Sequence, residues 1–208
     1  RRHSEADQVI TGPGLAAAVR VADEVTGSNS DPNRYRDARV WPPPDHEMAA
    51  YPSERRNFAA VATSWGCPYH CTYCASHQLQ PSFVRRDPAA VTDEILACAH
   101  RGIRDFAFYD DALLLHAEHH IMPILEGVLA RGLAVRFHTP NGLHAREITA
   151  GLAALMRRAG FVSPRISLET TNASRQWSTG GKVTTNLFEA AVRHLRAAGF
   201  PHGQLAAY

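Results

Sequence analysis

The chain has 208 residues, 45% of them hydrophobic and 20% charged, the balance of an ordinary globular protein with enough apolar mass for a substantial core. Its 22 Lys and Arg against 20 Asp and Glu leave a formal charge of +2, too little to argue for nucleic acid or an anionic membrane as partner. No apolar stretch reaches the roughly 18 residues of a membrane span and no signal peptide opens the chain, so a soluble, cytoplasmic location is expected.

The chain starts at Arg1 and stops at Tyr208 inside an apolar stretch, and is read as a fragment of something longer. In residues 1–57 only Leu15 to Val25 has a helical pattern. Asn29-Ser-Asp-Pro-Asn33 and Trp41-Pro-Pro-Pro44 carry turn and polyproline signals, so this stretch is expected to be a connecting segment. From Phe58 the rhythm changes to short apolar runs alternating with longer amphipathic stretches, as in βα units on a parallel sheet. Expected strands are Phe58 to Thr63, Phe106 to Tyr109, Ala134 to His138 and Arg165 to Leu168, with a fifth beginning at Gln204 and cut by the chain end. The helices between them run about Pro88 to Arg101, Glu118 to Arg131, Ala145 to Ala159 and Thr185 to Ala198, the last three stopped at Gly132, Gly160 and Gly199. Units of this length build a β/α barrel or an open doubly wound sheet.

Cys67, Cys71 and Cys74 follow the first strand with CxxxCxxC spacing. Three soft thiolates on one loop select zinc, copper(I) or an iron–sulfur cluster, and three leave a cubane one iron short of full protein ligation. A structural zinc site needs a fourth ligand, for which His70 or His77 is available. A thioredoxin-like reading of Cys71-Thr-Tyr-Cys74 leaves the third cysteine unexplained. Three clustered thiols point to metal chemistry in a reducing cytosol rather than a secreted disulfide framework. Cys98 lies in a helical pattern and reads as a small buried hydrophobe.

In either architecture the ligand site lies beyond the C-terminal ends of the strands. There the chain places the cysteines, then Asp110-Asp111, then His138-Thr-Pro-Asn141, then Glu169. Each of these polar residues taken singly reads equally well as a turn or helix cap.

The cysteine loop with its leading Ser64 and Gly66, Phe106-Ala-Phe-Tyr-Asp-Asp111, Pro140-Asn-Gly-Leu143 and Ile166-Ser-Leu-Glu-Thr170 followed by Gly180-Gly-Lys182 and a helix ending Ala197-Ala-Gly199, in that order, resemble the radical S-adenosylmethionine (SAM) enzymes. The branch most like it carries an N-terminal cobalamin-binding domain. Residues 8–57 are similar to the tail of such a domain and its linker, although Gly12-Pro-Gly14 departs from the usual acidic Gly-Glu turn, and 58–208 resemble the first part of the radical SAM core. The resemblance implies a partial (β/α) TIM-like barrel truncated near its fifth strand.

It further implies a [4Fe–4S] cluster on Cys67, Cys71 and Cys74, with SAM chelated at the open iron and cleaved reductively to a 5′-deoxyadenosyl radical. Tyr73 is then placed near the adenine, and Asp110 and Asp111 near the SAM amino group, with Asp111 alternatively a helix cap. Glu169 is placed at the ribose or amino group, and Arg175 or Lys182 at the carboxylate. Asn141 either lines the site or holds the turn before Gly142. A reductant such as flavodoxin or ferredoxin, a small-molecule or other substrate that the sequence does not identify, and cobalamin on a domain outside this chain, for methyl transfer or rearrangement, are also implied. The reading from another class is a zinc-stabilised binding domain without catalysis.

His116, His119 and His120 have spacings that could hold a metal, but with no acidic or cysteine partner evident they read as solvated residues near a helix start. Gly180-Gly-Lys182 lacks the upstream glycine and the Ser/Thr of a phosphate loop. Trp65 stands where relatives often carry arginine.

Overall fold

A computed structural model of the chain describes residues 15–31 and 58–208. Leu15–Thr26 forms helix α1, as its apolar spacing predicts. The proline-rich linker and most of the segment compared with a cobalamin-domain tail lie outside the described residues.

Short apolar runs from Phe58 onward form the parallel strands β1 (Phe58–Val61), β4 (Asp105–Phe108), β5 (Arg136–His138) and β7 (Phe161–Ser163), hydrogen-bonded in the order β1-β4-β5-β7. Between the first two lie β2 (Ser64–Trp65), α2 (Ser76–Leu79), β3 (Val84–Arg85) and α3 (Pro88–His100). Helix α4 (Ile121–Ala130) joins β4 to β5, and β6 (Leu143–His144) and α5 (Ala150–Ala159) lead from β5 to β7. Then come β8 (Arg165–Ser167), α6 (Ala173–Ser178), α7 (Thr185–Ala197) and β9 (Ala206–Ala207), with β6-β8-β9 forming a second parallel sheet.

The two sheets are the lower and upper parts of one partial barrel. The expected fourth strand, Arg165 to Leu168, is a longer one broken at Pro164, which has no N–H to give to a ladder. Below the break β7 pairs with β5, and above it β8 pairs with β6 and β9. Thr139 bridges the gap, its hydroxyl donating to the Ser163 carbonyl and accepting from the Arg165 amide at 3.1 Å. The expected fifth strand contracts to Ala206–Ala207.

Alternation along the strands gives this sheet two unlike faces. Phe106, Phe108, Phe137 and Phe161 are fully buried, their rings 5.1 to 6.0 Å apart, and join Ile95, Leu125 and Met156 of the helices in one core. Burying such a side chain is worth roughly 2–3 kcal/mol. Cys98 belongs to this core, as expected. The opposite face carries Asp105, which accepts from Arg136 and from His138 Nε2, and a register shift between Phe137 and His138 brings Ser163, two residues after Phe161, to the same side, its Oγ 2.9 Å from His138 Nδ1.

Helix starts follow their caps. Asp87 accepts from the Ala90 amide, Thr149 from Leu152 and Thr184 from Leu187. Two helices are shorter than their apolar spacing predicts because 3₁₀ turns, Ala117–His119 and Ala145–Glu147, occupy their expected first turns.

Candidate active site

The cysteine stretch has little regular structure of its own, so its shape comes from what holds it. Its two ends are joined where β2 pairs antiparallel with β3. Gly66, at φ +78°, passes under the Ser82 carbonyl, which a Cβ would approach to 2.7 Å.

Behind the loop is a buried polar tie. The Asp110 carboxylate accepts from the Thr63 amide at 3.1 Å and from the Thr63 and Ser64 hydroxyls at 2.6 Å each. The Thr63 hydroxyl has one hydrogen, given to Asp110, so its 2.9 Å contact with His120 Nε2 makes that nitrogen the donor. Burial, then the cations Arg85 and Arg86, lower the His120 pKa to about 4 and keep the ring neutral. Burial pushes the Asp110 carboxyl up while its hydroxyl and amide donors pull it back. The tie joins the exits of β1 and β4 to the start of α4.

In front lies a cavity of about 560 Å³. Of the residues singled out from sequence, Cys67, Cys71, Cys74, Tyr73, Asp111, Asn141, Glu169 and Lys182 line it. Asp110 does not, being consumed by the tie. Arg175 does not either: it is exposed on α6, where its backbone serves the Asn172 cap. Asn141 lines the cavity, and its side-chain amide donates not within the turn before Gly142 but across to the Tyr109 and Asp110 carbonyls at the β4 exit, at 2.9 and 3.3 Å. His120 corrects the reading of its trio as solvated, since it is buried while His116 and His119 are exposed.

Glu169 sits in the left-handed region at φ +68°, its amide held by the Tyr208 carbonyl at 3.0 Å. Lys182 donates to its carboxylate at 3.0 Å and lies 6.0 Å from the Tyr73 ring centroid. A strained non-glycine backbone costs of order 1–3 kcal/mol and collects at working sites.

Sequence reading missed Tyr69, His144, Ser167 and Tyr208, all on the cavity wall. His144 is 5% exposed, its Nδ1 is buried without a partner, and burial followed by Lys182 and Arg146 lowers its pKa to about 4. The available signal was its place two residues after Gly142, at a strand end on the ligand rim.

The thiols suit a cluster better than a single ion. All are free, and Cys71 is buried. Among the described residues no three His, Cys, Asp or Glu come together as one metal ion requires, and His70 and His77 pack against each other with centroids 5.2 Å apart. A cubane takes one thiolate per iron and so accepts sulfurs spread along a wall. Burial pushes the Cys67 thiol up, with Asp111 and Cys71 adding to it and Lys182 opposing. Such thiols lose their protons when a metal binds.

The sequence model of the radical SAM superfamily matches residues 61–206. The chain belongs to the radical SAM superfamily. Among solved structures this radical SAM chain is similar to the radical SAM methyltransferase TsrM of Kitasatospora setae with its tryptophan substrate and the SAM analogue aza-SAM bound. The identity is 17% and the TM-score 0.70, over 95% of this chain and 44% of that one. TsrM with cobalamin and a [4Fe–4S] cluster matches at 20% identity and TM-score 0.63, over 72% of this chain and 28% of that one. OxsB, a cobalamin-dependent radical SAM enzyme seen with aqua-cobalamin and SAM, matches at 22% identity and TM-score 0.59, over 71% and 23%. At these identities the likeness is one of fold, and the radical SAM chain spans less than half the length of each. No curated protein sequence matches it. Among the described residues no helix is long and apolar enough to cross a membrane.

Proposed function

We propose that residues 58–208 are the first part of a radical SAM core that holds a [4Fe–4S] cluster on Cys67, Cys71 and Cys74 and SAM in the cavity before them. The observation that carries this reading is that the three thiols share one cavity with Asp111, Glu169, Lys182 and Tyr73, each from a strand end or loop of the same rim. When bound, the cluster and SAM supply reductive cleavage of the sulfonium, giving the 5′-deoxyadenosyl radical that takes a substrate hydrogen.

The chain's own residues bind and orient. Asp111 and Glu169 offer carboxylates to the SAM ammonium, and Lys182, already paired with Glu169, offers its own ammonium to the SAM carboxylate. Tyr73 lies against the adenine, and Asn141 fixes the rim at the β4 exit. Asp110 acts one step back, fixing Thr63 and Ser64 at the entry to the cysteine loop. For the whole protein, the fold it shares with TsrM and OxsB supports methyl transfer to an unreactive carbon, or a related rearrangement, with cobalamin on a domain outside residues 58–208. Electrons come from a flavodoxin- or ferredoxin-type donor, and the substrate is a small molecule or another class of molecule that residues 58–208 do not identify.

Anaerobic reconstitution with iron and sulfide is expected to give brown protein whose visible absorbance bleaches on reduction. The Cys71→Ala variant is expected to form no 5′-deoxyadenosine from SAM. Stoichiometric zinc without that absorbance, or unchanged 5′-deoxyadenosine from Cys71→Ala, overturns the reading.

A further inference from the structure

We propose that the cysteine loop is gripped from both sides, by Tyr69 in a pocket formed after β6 and by Gly180 beneath Cys71, and that these two are positioning residues that set the thiols before any iron enters. The proposal rests on the reading of the thiols as cluster ligands. Its starting point is a contrast within the loop: residues 66–83 contain only the short α2, yet Cys71 at their centre is buried. Something other than secondary structure must hold it.

On one side the holder is a side chain of the loop itself. Tyr69 stands between Cys67 and Cys71, and while its neighbours Pro68 and His70 are exposed, its own ring is partly buried. Its hydroxyl donates to Glu147 Oε1 at 3.2 Å. The ring meets His144 edge to face, with centroids 5.0 Å apart and planes at 81°, and the Arg146 guanidinium lies 5.6 Å from its centroid. Three residues of one turn thus hold one ring by three kinds of contact. Burial lowers the His144 pKa to about 4, so its packing against Tyr69 is a contact between uncharged rings.

On the other side the holder is backbone. The Thr72 amide donates to the Thr179 carbonyl at 3.3 Å. The next residue, Gly180, takes φ +116°, and a Cβ there would lie 3.3 Å from Cys71 Cα and 3.4 Å from the His70 carbonyl oxygen. A side chain there would push the two backbones apart by a few tenths of an ångström and would be strained at this φ. Gly181 provides the internal control: at φ +61° it is also left-handed, but its Cβ would meet only the Trp177 ring, at 3.4 Å and beyond. The two grips reach the chain on either side of Cys71, the thiol that must be placed relative to both others.

The test is amide hydrogen exchange on the full 208-residue chain without iron, followed by anaerobic iron loading. In Tyr69→Ala and in Gly180→Ala, exchange at residues 71–74 is expected to accelerate about tenfold or more, with α3 and α4 unchanged. Tyr69→Phe, which keeps the ring contacts, is expected to recover most of the protection, and Gly181→Ala to leave the loop as it is. In the two gripping variants iron is expected to load more slowly, and the reduced cluster's electron paramagnetic resonance signal to broaden. Should Gly180→Ala fail to fold, the Tyr69 pair decides alone. Unchanged exchange at 71–74, or acceleration spread equally through α3 and α4, overturns the grip. A wild-type chain that takes up no iron overturns the cluster reading instead, because exchange in the metal-free loop judges the grip by itself.

Discussion

The polar residues behind the cysteine loop and those in front of it meet at the β4 exit, where Asp110 and Asp111 are neighbours in the chain, and are opposite in state. Behind, Asp110, Thr63, Ser64 and His120 are buried and bonded to one another. In front, Asp111, Glu169 and Lys182 face a cavity and are linked by one ion pair, Lys182 to Glu169. Buried groups must bond to each other because water is excluded. Groups on an open rim keep hydrogen-bonding capacity for a ligand. The adjacent residues Asp110 and Asp111 show that strand-end position alone does not separate a residue that builds a site from one that serves it.

The largest effect is expected from breaking the tie. Asp110→Ala removes the acceptor for the Thr63 amide and both hydroxyls in a sealed space, and is expected to cost about 3–5 kcal/mol of unfolding free energy, read by urea titration. Asp111→Ala is expected to stay within about 0.5 kcal/mol on that axis, and to show its effect in weaker SAM binding by the reconstituted protein. Equal stability losses in the two variants would erase the distinction between the two regions.

Acid separates the regions more finely, since each holds one buried histidine. Folding lowers His120 and His144 from the ordinary 6.5 to about 4, by burial first and then by Arg85 and Arg86 for the one and Lys182 and Arg146 for the other. Between those values the unfolded chain binds protons that the folded chain refuses. Stability therefore falls as the pH drops from 6.5 to 4, by about 3 kcal/mol per ring, with no further loss from these groups below that. Asp110, raised by burial, works with opposite sign and softens the acid end. Urea titrations from pH 4 to 8 on His120→Gln and His144→Phe are expected to lose about half the slope each. An unaltered slope in either variant removes that ring from the account.

Legibility divides along the same line. The places of the cysteines, Asp111 and Glu169 on the cavity could be read because a parallel α/β chain displays its ligand groups after its strands, whereas Lys182, between α6 and α7, was legible only through the family resemblance of Gly180-Gly-Lys182. Asp110 could not be told from Asp111, because the chain bends at the β4 exit and the period of two ends there. His120 hid among three histidines because the helix was expected from Glu118, whereas His116 at φ +50° and a 3₁₀ turn delay it to Ile121. Strands β2, β3 and β6 have two residues each, too short for any period, so the ladder that closes the cysteine loop left no pattern. Pro164 was in plain view, but the bridge across it depends on Thr139, distant in sequence.

The smallest expected effect probes the rim's own pair. Lys182 and Glu169 meet at 3.0 Å with side chains 11% and 30% exposed, so the Coulombic gain is partly screened and the desolvation cost partly avoided. A double-mutant cycle with Lys182→Met and Glu169→Gln is expected to give a coupling of about 1 kcal/mol in stability, well below the cost of Asp110→Ala. The Lys182 contact with the Tyr73 ring adds no more than about 1 kcal/mol to the single Lys182 loss and cancels from the cycle. Because the pair gives up little when it parts, a ligand bearing both an ammonium and a carboxylate can separate it and satisfy both ends. The same cycle repeated with SAM bound to the reconstituted protein is therefore expected to show a coupling near zero. A coupling that grows on binding would mean that the ligand seals the pair rather than divides it, and would move Lys182 from the residues proposed to meet SAM to those that only support the wall.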